Sequence, residues 1–100
     1  MSTYTATWKR SQPDKVTVTG PPRPLAYPVR QPRTDGSVDR YCERYDGSQG
    51  PFLAMMTQTP WAVIPGSRWQ RAGQGAWTAD VYPRSPEFAE SLERMAARTQ

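Results

Sequence analysis

The sequence predicts an α+β domain: a small twisted antiparallel β-sheet with a C-terminal α-helix packed on it. Three stretches lead there. "TYTATW" and "KVTVTG" near the start are rich in threonine, valine and aromatic residues that alternate as half-buried strands do. "WQRAGQGAW" sets tryptophans on either side of a glycine pair, the pattern of a tight hairpin. "SPEFAESLERMAARTQ" repeats its apolar residues at helical spacing. At 100 residues the chain forms a single domain and buries roughly two-thirds of its unfolded surface, enough for one modest core. With 36% hydrophobic residues and 11% aromatic, that core has to be built around rings.

Taken in order, residues 1–20 read as an N-terminal hairpin whose turn is "SQPD". Residues 21–36, "PPRPLAYPVRQPRTDG", hold five prolines and three arginines. Proline lacks the backbone donor and restricts its predecessor, so this zone is an extended connector and neither a regular helix nor a central strand. Either it wraps the domain, with Leu25, Tyr27 and Val29 as anchors, or it carries Arg23, Arg30 and Arg33 to a polyanion. Pro21 and Pro24 meet a minimal P-x-x-P pattern, a motif too common to assign a ligand.

Residues 37–83 supply strands and a second hairpin. "SVDRYCERYDGSQGP" fits a helix or a strand, and the strand is preferred: Tyr41, Glu43 and Tyr45 then share one face and Arg40, Cys42 and Arg44 the other. "FLAMM" reads as a buried strand. If Gly73 to Gly75 form a three-residue turn, Ala72 faces Ala76 and Arg71 faces Trp77. Trp69, Trp77, Ala79 and Val81 then point one way, with Arg71 at the open end; Arg68, Gln70, Thr78, Asp80 and Tyr82 point the other. The final zone, residues 85–99, is a helix: Ser85 caps it, Pro86 fits its first position, and Phe88, Leu92, Met95 and Ala96 form its apolar stripe.

Several functions are excluded by what the residues cannot do. The chain has no histidine, which removes histidine-based triads, general bases and imidazole metal sites. Its single cysteine, Cys42, forms neither an internal disulfide nor a thiolate zinc site. No phosphate loop or dinucleotide fingerprint is present. Asp35, Asp39, Glu43 and Asp46 are close in sequence but interleaved with Arg33, Arg40 and Arg44, which reads as surface ion pairing. No cofactor or metal is expected. The longest apolar runs, "FLAMM" and "WAVI", fall far short of the roughly 20 residues that span a bilayer. The first residues lack the apolar segment of a secretion signal, so a cytoplasmic address is expected.

The charge is +4 and eleven of the thirteen basic residues are arginine, which forks onto carboxylate or phosphate and stacks on rings. The functional expectation is a non-catalytic protein-binding module, a small inhibitor or adaptor of the kind phages and mobile elements encode. Its contact residues are expected to be Arg68, Arg71, Arg40 and Arg44 with Trp69 and Tyr82. The alternative is a nucleic-acid binder that uses the same arginines and nearby aromatic residues, and a small histidine-independent nuclease ranks third.

Overall fold

In the computed structural model, residues 4–20, 24–30, 40 and 50–98 are described. The N-terminal hairpin is formed by β1 (Tyr4–Lys9) and β2 (Gln12–Thr19). Its turn comes earlier than "SQPD" suggests, because Lys9 already pairs with Gln12 and leaves Arg10 and Ser11 as the loop. A register shift after Trp8 absorbs the extra residues of β2. Pro13 is tolerated at this irregularity, where no ladder donor is demanded of it, and its carbonyl accepts a 3.0 Å hydrogen bond from Trp8 Nε1.

The proline-rich zone contributes a strand of its own, β3 (Leu25–Pro28), paired antiparallel with β2. It sits at the end of the sheet order, the place where proline is compatible with a strand. Its anchors behave as the sequence suggests: Leu25 and Tyr27 pack partly buried against the core and Val29 is buried. Of residues 31–49 only Arg40 is described, with helical backbone and an exposed side chain. The helix-or-strand question for residues 37–46 otherwise lies outside the described residues.

"FLAMM" is a correction. It belongs to the helix α1 (Gly50–Thr57) instead of a strand. Phe52, Met55 and Met56 are buried while Leu53 is 45% exposed, the i, i+3, i+4 spacing of one helix face. Leucine and methionine are strong helix formers, and Pro51 fits a first turn.

The rest of the sheet is β4 (Trp61–Val63), β5 (Gln70–Arg71) and β6 (Ala76–Pro83). The curled antiparallel sheet runs in the order β3-β2-β1-β6-β4, with β5 also paired to β6. The second hairpin has the register expected from parity: Arg71 faces Trp77, and Ala72 N donates to Ala76 O at 2.9 Å. Gly73 and Gly75 have φ of 119° and 72°, backbone that side chains with a Cβ disfavour. The terminal helix α2 (Pro86–Arg98) begins with Ser85 Oγ accepting from Phe88 N at 3.2 Å. Leu92 of this helix is buried.

Strand parity divides the sheet into two faces. The inner face carries Ala6, Trp8, Val16, Val18, Trp77, Ala79 and Val81, all buried. Phe52 of α1 plugs one end of it, stacked on Trp69 at 4.5 Å between ring centres, with Trp8 at 5.8 Å and Trp77 at 5.9 Å. At the other end Trp61 contacts Tyr4 at 4.7 Å and takes Phe88 of α2 edge-on at 5.0 Å. α1 and α2 thus pack on one curled sheet through two aromatic knots.

Candidate functional site

β4 and β5 lie on the same side of β6. β1 occupies the other side over Tyr4–Lys9, so both short strands must take the free one. Residues 61–71 therefore run along one sheet edge, interrupted by a turn in which Ser67 N donates to Ile64 O at 2.9 Å. Short, interrupted pairing of this kind keeps an edge from recruiting a foreign strand. What the edge offers instead is side chains.

At the β4 end an open cavity of about 340 Å³ is lined by Leu53, Met56, Ala62, Val63 and Arg84, among others. Leu53 and Tyr82 are the large apolar side chains exposed among the described residues, at 45% and 42%. Leu53 lines the cavity together with Ala62, while Tyr82, the cross-strand partner of Ala62, lies on the outer face and outside the cavity lining. Arg84 sets the floor of this end. Its Nη2 donates to the carbonyls of Met56, Thr59 at 2.6 Å and Trp61 at 2.9 Å. A guanidinium suits this task because it presents several donors in a fixed plane, and its positive charge lies at the C-terminal end of α1.

At the β5 end Arg68 and Arg71 are exposed. The Arg71 guanidinium carbon lies 5.1 Å from the centre of the Trp77 ring, within cation–π range, which holds a long side chain in place. Tyr82 lies five steps along β6 from Trp77, which is opposite Arg71; at strand rise that is about 17 Å. The edge is thus an elongated strip with an apolar end and a cationic end.

Of the residues expected to make contacts, Arg68, Arg71 and Tyr82 come together on or beside this strip. Trp69 corrects its own place among them: it is 1% exposed and stacked on Phe52, so it is a core residue with no ring face to offer a ligand. Arg40 is exposed, and no observed contact ties it to the strip; Arg44 lies outside the described residues. Leu53 and Arg84 were missed by the sequence reading. Leu53 was recoverable, since reading "FLAMM" as a helix puts it off the buried stripe. Arg84 carries no such signal, because its role depends on three carbonyls brought to it by the fold.

Among the described residues no group of three or more acidic or cysteine side chains is placed to hold a metal ion, and no helix is long and apolar enough to cross a membrane. No protein-family model, curated protein or solved structure matches the chain.

Proposed function

We propose that the protein is a non-catalytic binding module, an inhibitor or adaptor, that covers a protein partner with the strip formed by residues 61–71, Leu53 and Tyr82. The observation that supports this reading is the open, largely apolar cavity at the β4 end, where the exposed Leu53 lies beside Met56, Ala62 and Val63. Exposed apolar side chains clustered in one place mark contact surfaces, whereas scattered ones do not. Arginines at the far end of the strip complete the usual composition of such a surface, an apolar centre with Arg and Tyr around it.

Each part has its own task. The apolar end supplies affinity by removing Leu53 and the Tyr82 ring from water, and the arginines select a partner with carboxylates in register with them. Arg84 and the Arg71–Trp77 contact keep the strip in shape before binding, which lowers the ordering cost of association.

The test is affinity capture from host lysate, with and without nuclease, using the parent protein and two variants. Leu53→Asp and the pair Arg68→Ala/Arg71→Ala should each keep the parent's circular dichroism spectrum. A partner that survives nuclease should be lost by Leu53→Asp and weakened at least about tenfold, roughly 1.4 kcal/mol, by the arginine pair. A nuclease-resistant partner retained equally by all three proteins would remove the strip from the site.

A further inference from the structure

The outer face of the sheet is built differently. The register places Ala26, Thr17, Thr7, Thr78 and Gln70 side by side across β3, β2, β1, β6 and β5. Toward the hairpin tips this polar surface opens into two adjoining grooves. The first, about 170 Å³, is lined by Thr7, Lys9, Gln12, Lys15, Thr17 and Thr19. The second, about 510 Å³, is lined by Lys9, Arg10, Ser11, Gln74, Gly75 and Ala76. Lys9 belongs to both, so the two form one channel.

Three features of this channel are unusual for the chain. It gathers Lys9 and Lys15, the two lysines of a sequence in which eleven of thirteen basic residues are arginine. Among the described residues neither groove has a carboxylate in its lining. Its shape is also fixed from beneath: Arg10 N donates to Gly75 O at 2.7 Å, which locks one hairpin tip onto the other. A Cβ at Gly75 would stand 3.5 Å from the Cβ of Arg10, and the φ of 72° there favours glycine in any case.

We propose that this channel binds the phosphate backbone of nucleic acid. The lysine ammonium groups, the Thr7 and Thr17 hydroxyls and the Gln12 amide are hydrogen-bond donors, and together they match the several acceptor oxygens of a phosphate better than the two of a carboxylate. Two grooves in series match a ligand with repeated anions. Among the described residues neither lining holds an aromatic ring, so the contact is one that reads charge without sequence. This surface is distinct from the 61–71 strip, and the two together describe an adaptor that holds a protein against nucleic acid.

Fluorescence anisotropy with a labelled duplex of about 20 base pairs tests the proposal. Lys9 and Lys15 on phosphates contribute about −1.8 to the slope of log affinity against log salt, and Lys9→Gln/Lys15→Gln should remove that contribution. The same variant should weaken binding at least tenfold at low salt. Arg94→Gln/Arg98→Gln, an equal loss of charge on exposed positions of α2, should change it less than twofold. Lys9→Gln alone serves if the double variant fails to fold. Equal weakening by the two pairs would reduce the effect to net charge and overturn the channel, as would a duplex that does not bind at low salt. Displacement of the duplex by millimolar inorganic phosphate would overturn the polymer assignment in favour of a site for one phosphate. Leu53→Asp should leave duplex binding unchanged, which separates failure of this proposal from failure of the strip.

Discussion

The two faces of the sheet come from the same strands and have opposite tolerances. On the inner face every second residue of β1 and β6 is a ring or a small apolar group held against Phe52, Trp61 or their neighbours. On the outer face the intervening residues are Thr5, Thr7, Lys9, Thr78, Asp80 and Tyr82, which touch solvent. Stability is concentrated on one parity, so recognition can be placed on the other at little cost to folding. The edge strip lies where the two meet, which is why it mixes a buried Trp69 with an exposed Arg68 and Arg71.

The contrast is broken most severely by emptying an aromatic knot. Phe52→Ala should cost about 3 to 5 kcal/mol and Leu92→Ala about 2 to 5 in urea unfolding, because each leaves a cavity where α1 or α2 meets the sheet. A change under about 1 kcal/mol for Phe52→Ala would mean that α1 is not needed to close the core.

A finer comparison lies within the inner face. Trp8 and Trp69 are both buried, but Trp8 Nε1 donates to Pro13 O whereas Trp69 Nε1 has no hydrogen-bond partner among the described residues. Trp8→Phe strands an acceptor; Trp69→Phe removes an orphaned donor. The first should be more destabilising by about 1 kcal/mol, and equal midpoints in thermal or urea unfolding would show that the orphan carries no cost.

The outer face should respond least. Thr7→Ser and Thr78→Ser keep a hydroxyl in a half-buried position and should each alter stability by no more than about 0.5 to 1 kcal/mol, in line with the span of strand preference. A loss above about 2 kcal/mol from either would show that the outer face also carries packing, and the division between the faces would fail.

The parity of the second hairpin was legible because glycine pins the turn: once Gly73 and Gly75 are placed, alternation assigns every residue from Trp69 to Tyr82 to a face. The terminal helix was legible because cap, first-turn proline and apolar stripe all agree. "FLAMM" was not, since five apolar residues in a row fit a buried strand as well as a buried helix, and only the contacts of Phe52, Met55 and Met56 decide. The register shift after Trp8 was hidden for a different reason: strand alternation runs unbroken through both halves of the hairpin and does not mark where Lys9 pairs with Gln12. Of the contact residues, the exposed arginines were found by chemical type alone. Tyr82 was found as well, whereas Leu53 was missed because its exposure follows from the helix that "FLAMM" forms.

β1 is first in the chain and central in the sheet. Its ladder with β6 joins Tyr4 to Val81, so the sheet cannot be completed until the last third of the chain exists. At synthesis rates of about 5 to 20 residues per second, the β1–β2 hairpin waits on the order of 3 to 13 s for β6 on its other side, with Ala6 and Trp8 uncovered and one row of backbone donors open. Pairings so distant along the chain also slow folding once synthesis ends, because loop closure comes before any contact repays it. A nascent chain halted before β6 is therefore a sticky fragment, and the growing polypeptide depends on whatever shields that hairpin until residues 76–83 arrive.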